Sequence, residues 1–110
     1  MTRRIPDPED RFASLVEELA ALDGVALPSA GRRFGSDALK ADGHIFAMLS
    51  AGRLVLKLPR TRVDELVAAG EGAHFDAGKG KPMREWLALD PASTLPWPQL
   101  ACEAYAFVRH

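Results

Sequence analysis

The strongest constraint on the fold of this chain is the stretch from Phe34 to Leu58, in which three strand-like runs are separated by two tight turns. Asp42-Gly43 stands at the first turn, and its glycine accepts the positive φ that a two-residue hairpin turn requires. Ala51-Gly52 marks the second turn through its single glycine. The stretch therefore predicts a three-stranded antiparallel meander.

The two later strands of this meander differ in their side-chain pattern. In the last strand Leu54, Leu56 and Leu58 alternate with Arg53, Val55 and Lys57, which is typical of a sheet with one face against helices. In the middle strand, strict alternation places Ile45, Ala47 and Leu49 on one face and His44, Phe46, Met48 and Ser50 on the other. Both faces of the middle strand are apolar. We therefore expect it to be central in the sheet or to have a second covering on its outer face, which another chain could provide.

Helical patterns flank the meander. Asp7-Pro8 begins the first helix, whose apolar residues recur three and four apart until Gly24 ends it, and residues 1–7 form a flexible arm. Thr61 is placed to cap a short second helix, which ends at Gly70. A third helix is predicted from about residue 98 to residue 108.

Two further strands separate the second helix from the third. They are a short run at residues 73–75 and a longer one at residues 83–89. Val25 to Pro28 is a connector that contains at most a fragment of an edge strand. The chain of 110 residues therefore predicts one α+β domain. It has two layers, an antiparallel five-stranded sheet with helices on one face, in the order α-β-β-β-α-β-β-α.

The net charge of −1 conceals an uneven distribution of charge along the chain. Residues 1–31 contain three arginines and six acidic residues, whereas residues 32–62 contain seven basic and two acidic residues. The candidate contacts for a nucleic acid or another anion are Arg32, Arg33, Lys40, Arg53, Lys57 and Lys81. The alternative is a basic sheet that complements the chain's own acidic helices.

The side chains that most often carry chemistry form no recognised catalytic or metal-binding motif. His74 and Asp76 are a closely spaced pair of metal-ligand types, and a surface loop explains them better than a zinc site. Cys102 is expected to be a buried or half-buried structural thiol. Trp86 and Trp97 are expected to pack in the core or between the layers. No enzymatic activity, cofactor or metal is therefore expected.

The loop Gly78-Lys79-Gly80-Lys81 has the composition of a phosphate-binding loop but not its arrangement. Pro82 and a strand follow it, whereas a Walker loop leads into a helix. We interpret it as a solvated turn.

The order of several motifs resembles a known family. The motifs are Phe34-Gly35, Lys40-x-x-Gly43-x-Ile45-Phe46-Ala47, Leu54-Val55-Leu56-Lys57-Leu58, Phe75, and Gly80-Lys81-x-Met83-x-x-Trp86. Together they resemble the N-terminal domain of the competence regulator TfoX and the related MmcQ/YjbR-like proteins, over roughly residues 12–108. The resemblance implies a fold similar to that of secretion chaperones, and a regulatory or interaction module with no catalytic residue to carry over. TfoX-like regulators have a second, helical domain that this sequence does not contain.

These observations predict a small non-enzymatic module that binds a protein partner or a second copy of itself. A nucleic-acid-binding module and a small-molecule-binding domain are the alternatives. The lone cysteine and the lack of a signal peptide or a spanning apolar run favour a cytoplasmic protein that does not associate with membranes.

Overall fold

The computed structural model describes residues 8–26, 38–50, 52–75 and 83–109. In chain order the elements are α1 (Pro8–Leu19), β1 (Val25–Ala26), β2 (Ala38–Ala41), β3 (His44–Ser50), β4 (Arg53–Lys57), α2 (Arg60–Ala68), β5 (Gly72–Phe75), β6 (Met83–Leu89) and α3 (Trp97–Val108). The predicted class and order are confirmed. The two-residue β1 adds one edge strand to the five that were predicted.

The hairpin turn at Asp42-Gly43 forms as predicted. Both residues have positive φ, 52° and 88° respectively, as a turn of the primed type requires. Antiparallel pairing then joins the six strands of the described ranges in the spatial order β1-β2-β3-β4-β6-β5. The middle strand of the meander, β3, is therefore internal, which is one of the two positions that its apolar faces predicted.

The strict alternation predicted for β3 is wrong because a β-bulge interrupts its pairing with β2. Leu39 lies opposite Ala47 and Lys40 opposite Ile45, so Phe46 is the extra residue. Two consecutive side chains of β3, Phe46 and Ala47, are consequently buried in the core. Ile45 moves to the opposite face, with Lys40.

The core lies between the sheet and the helices. The side chains of Leu54, Leu56 and Leu58 are fully buried there, as their alternation predicted. α3 lies against β3 and β4, α2 lies against β5 and β6, and α1 packs beside α3. No helix in the described ranges is long and apolar enough to cross a membrane.

Two predicted helix ends are wrong. α1 ends at Leu19 rather than at Gly24, which instead lies in the turn before β1 and accepts a hydrogen bond from the Asp42 N–H at 3.0 Å. α2 begins at Arg60, and its N-terminal cap is Pro59, whose carbonyl accepts the Val63 N–H. Thr61 is therefore inside the helix and does not cap it. The predicted arm at residues 1–7 lies outside the described residues.

The end of α3 is tied to the hairpin turn. Arg109 Nε donates to Asp42 Oδ2 at 3.0 Å and its Nη1 donates to the Asp23 carbonyl at 2.9 Å. The guanidinium also bonds the Tyr105 hydroxyl, which raises the pKa of Arg109 above its ordinary value, and the Asp42 charge adds to this effect. Arg109 is therefore a permanent cation, and the last turn of α3 is held beside the β2–β3 hairpin.

Gly43→Ala tests the turn. A Cβ at this position would meet no neighbour, so the cost comes only from its positive φ. We expect a loss of about 1 kcal/mol in the free energy of unfolding, measured by urea denaturation. Gly43→Asn is the matched control, because Asn tolerates this region and should lose less. An Ala variant as stable as the parent would contradict the turn.

Phe46→Ala tests the bulge. Since Phe46 is fully buried, its truncation should cost about 3–5 kcal/mol in the free energy of unfolding. Met48→Ala in the same strand, half-buried on the opposite face, should cost about 1 kcal/mol. If Phe46→Ala does not fold, Phe46→Leu should give a smaller loss of the same sign. A larger loss for Met48→Ala than for Phe46→Ala would place Phe46 outside the core.

Candidate functional site

The face of the sheet opposite the three helices holds the candidate site, and we call it the outer face. Side-chain alternation and the strand register place eleven residues of β2, β3, β4 and β6 on it: Ala38, Lys40, Ile45, Met48, Ser50, Arg53, Val55, Lys57, Arg84, Trp86 and Ala88. Val55 and Ala88, at its middle, are buried. The accessible part of the outer face therefore lies around them, toward the two ends of the strands.

The predicted cations divide between these two ends. Lys40 and Lys57 both lie at the end near the β2–β3 hairpin, whereas Arg53 begins β4 and is paired with Ser50 at the other end. Four residues of extended chain, roughly 13 Å, separate Arg53 from Lys57. Arg32, Arg33 and Lys81 lie outside the described residues. The structure thus brings two of the six predicted contacts together.

Four neighbouring strands each contribute one side chain to a row across the hairpin end of the outer face. The row is Lys40 from β2, Ile45 from β3, Lys57 from β4 and Trp86 from β6. Lys40 is directly opposite Ile45, and Lys57 is directly opposite Trp86. We call this set the cation–apolar row. It alternates two ammonium groups with an aliphatic and an aromatic side chain.

Lys57 has two neighbours that set its electrostatic environment. Its Nζ lies 5.2 Å from the centroid of the Trp86 ring and 3.4 Å from Glu85 Oε1. The Glu85 side chain is 46% exposed, and an ion pair this exposed is weak. Because an ammonium group has three N–H donors, Lys57 retains donors for a ligand while it contacts Glu85.

A groove of about 630 Å³ opens along the cation–apolar row. Its lining includes the four residues of the row together with His44 and Phe107. Phe107 and the neighbouring Val108 belong to the last turn of α3, which the bond between Arg109 and Asp42 holds against the hairpin. The groove therefore joins the outer face to the end of a helix from the other layer.

Ile45 and Trp86 are the two members of the cation–apolar row that the sequence interpretation missed, Ile45 because of the bulge. Trp97 is buried in the core, as expected, but Trp86 is half-buried on the outer face, so its predicted place in the core or between the layers is wrong. The alternation of β6 indicates the true position of Trp86. Trp86 shares a face with the exposed Arg84, whereas Leu87 and Leu89 lie on the opposite face and are buried. The size and apolar character of tryptophan predict burial, whereas its position in β6 predicts the outer face.

A second cluster of polar side chains lies beside α2. His74 Nε2 and Asp64 Oδ1 are 3.2 Å apart, and Arg60 and Arg84 line the same pocket. Asp76, the predicted partner of His74, is outside the described residues. In the described part of the chain no three His, Cys, Asp or Glu side chains converge on a position for a metal ion. This cluster is a hydrogen-bonded His74–Asp64 pair at the surface, with two arginines nearby.

Cys102 is exposed, so the expectation of a buried or half-buried thiol is wrong. The core positions of α3 are taken by Leu100, Ala101 and Ala104, and residue 102 falls on the solvent side of that stripe.

Comparison with known proteins adds no relative. A scan against protein-family models, a search of curated proteins and a search of solved structures each gave no match. The resemblance to the TfoX N-terminal domain therefore stays a prediction from the sequence pattern.

Acrylamide quenching of tryptophan fluorescence tests the position of Trp86. Trp86 should be quenched readily, whereas Trp97 is 6% exposed and should be protected. Trp86→Phe should therefore remove the quenchable emission and leave the protected component at shorter wavelength. If the emission that remains in this variant is quenched as strongly as in the parent, Trp86 is not the accessible tryptophan.

Proposed function

We propose that this protein is a non-enzymatic interaction module, similar to the TfoX N-terminal domain, that docks an acidic protein partner on the hairpin end of its outer face. The observation that carries the proposal is the cation–apolar row, in which Lys40 and Lys57 alternate with Ile45 and Trp86. We place the module in the cytoplasm, where its single, exposed Cys102 would stay reduced.

The composition of the row supports a protein partner. Tryptophan is enriched among the residues that contribute most to binding energy at protein interfaces, and half-buried Trp86 presents part of its ring to solvent. The two lysines supply the charge that selects an acidic partner and accelerates its association. An acidic segment with an apolar side chain would match both kinds of group.

The same charges argue against self-association through two copies of this face. A two-fold contact would place Lys40 and Lys57 of one copy against the corresponding lysines of the other. Like charges at an interface are repulsive, so a partner of opposite charge is favoured. The exposed acidic residues of α1, Glu9, Asp10, Glu17 and Glu18, remain available to the row of another copy in a head-to-tail contact.

Nucleic acid is the second candidate, and one specific observation favours it. Lys57 and Trp86 are adjacent, with the ammonium 5.2 Å from the ring centroid. Proteins that bind single-stranded nucleic acids use basic side chains together with accessible aromatic rings on which the bases stack. Glu85 beside Lys57 repels a phosphate and a carboxylate alike, so it does not separate the two candidates. Nucleic acid ranks second because, among the described residues, only Lys40 and Lys57 of the six predicted cations lie together, which is few for a phosphate backbone.

Binding of an Asp/Glu-rich peptide with one central leucine tests the proposal. In ¹H–¹⁵N spectra at low ionic strength we expect it to shift the signals of Lys40, Ile45, Lys57 and the Trp86 indole. Lys57→Glu should weaken binding about tenfold, because one attraction becomes a repulsion. Arg53→Glu is the matched control, since it makes the same charge change at the other end of the outer face and should have little effect.

Other outcomes of these binding experiments would contradict the proposal or replace it with one of the alternatives. A peptide with Lys in place of Asp and Glu should not bind, and equal binding of both peptides would remove the role of charge. Retention of single-stranded DNA without binding of the acidic peptide would replace this proposal with the nucleic-acid function. A dimer in light scattering that Lys57→Glu abolishes, without peptide binding, would replace it with self-association.

A further inference from the structure

We propose that the groove beside the cation–apolar row is a binding site for a small amphipathic carboxylate, a molecule with one carboxylate on an apolar body. This inference goes beyond protein docking and does not require it. A ligand of this class would occupy the groove of the isolated domain. When bound, it would cover part of the surface that we assign to the protein partner.

The size of the groove fits a small molecule. Its volume of about 630 Å³ lies inside the range of about 300–1,000 Å³ that is usual for small-molecule sites. Such sites combine apolar walls with a few placed polar groups, and this groove has four apolar side chains beside two lysines and one histidine.

The apolar part of the lining comes from both layers of the fold. Ile45 and Trp86 are supplied by the sheet, and Phe107 and Val108 by the end of α3. All four are half-buried, so each keeps apolar surface that a ligand could cover. Because Arg109 ties the end of α3 to Asp42, the two walls are held in position before a ligand arrives. Preorganisation of this kind lowers the cost of binding.

The charged part of the lining has one sign. Lys40 and Lys57 lie two strands apart with Ile45 between them, about 10 Å from backbone to backbone, a span that their long side chains can reduce. The described lining residues include no carboxylate. Glu85 contacts Lys57 at 3.4 Å from outside this lining and would compete with the carboxylate of the ligand. The site therefore selects an anion, and Glu85 weakens the selection.

The probe is 4-phenylbutyrate, followed by ¹H–¹⁵N spectra and by Trp86 fluorescence. A ligand of this size in an open groove should bind with a dissociation constant of about 1 mM. We expect saturable shifts at Lys40, His44, Ile45, Lys57, Trp86 and Phe107. Two matched compounds divide the contributions: 4-phenylbutanol keeps the apolar body without the charge, and butyrate keeps the charge without the aromatic body. Each should bind about tenfold more weakly.

Four variants with small changes in volume measure how much each charged side chain contributes to the binding of 4-phenylbutyrate. Lys40→Gln and Lys57→Gln should each weaken the binding of 4-phenylbutyrate about two- to fivefold, and Glu85→Gln should strengthen it by a similar factor. Arg53→Gln, on the same face but outside the groove, should leave it unchanged. All four substitutions are at exposed or half-exposed side chains, and unchanged spectra away from the groove confirm folding.

Several results would overturn the proposal of a carboxylate-binding site. They are equal binding of 4-phenylbutanol and 4-phenylbutyrate, shifts located away from the groove, the absence of saturation, or a Glu85→Gln variant that binds no better than the parent. The outcome is separable from that of protein docking, which is measured with the acidic peptide. A peptide that binds while 4-phenylbutyrate does not would leave the docking proposal intact and remove this one.

Discussion

The left-handed turn at Asp42-Gly43 is the constraint on which the rest of the structure depends. Because two consecutive residues have positive φ there, β2 and β3 leave the turn in one register. That register places Lys40 beside Ile45 on the outer face. The carboxylate of Asp42 also accepts a hydrogen bond from Arg109 after the end of α3, so one dipeptide sets the strand pairing and contacts the helical layer, which the buried core holds on the sheet.

The bulge in β3 decides how the two faces of the sheet are used. With strict alternation Phe46 would lie on the outer face; with one extra residue it joins Ala47 in the core. The core gains a large aromatic side chain, whose ring meets Tyr105 of α3 edge to face at 5.7 Å between centroids. The outer face gains Ile45, the aliphatic member of the cation–apolar row. A single unpaired residue thus shapes both the packing and the candidate site.

The separation of charge along the chain becomes a separation in space. The acidic side chains of α1 are on the helical layer, whereas Lys40, Arg53 and Lys57 lie on the outer face. A sheet that only complemented its own helices would direct its cations toward them. These three cations point away from α1, yet compensation within the chain also occurs: Lys57 contacts Glu85 at 3.4 Å, and Arg62 of the same basic stretch pairs with Glu103 of α3 at 2.9 Å. Both sequence-based alternatives are therefore compatible with the structure, and the proposed docking site uses the cations that face outward.

The sequence alone determined the elements and their order, because turn dipeptides, leucine alternation and helical periodicity act over a few residues. It also determined that Leu54, Leu56 and Leu58 are buried. It could not locate the bulge, since Phe46 and Ile45 are both apolar and fit either face. Nor could it place Phe107 in the same groove as Lys57, because that placement depends on how α3 ends against the hairpin. The groove exists only through the pairing of distant strands and the docking of that helix, interactions that no local pattern encodes.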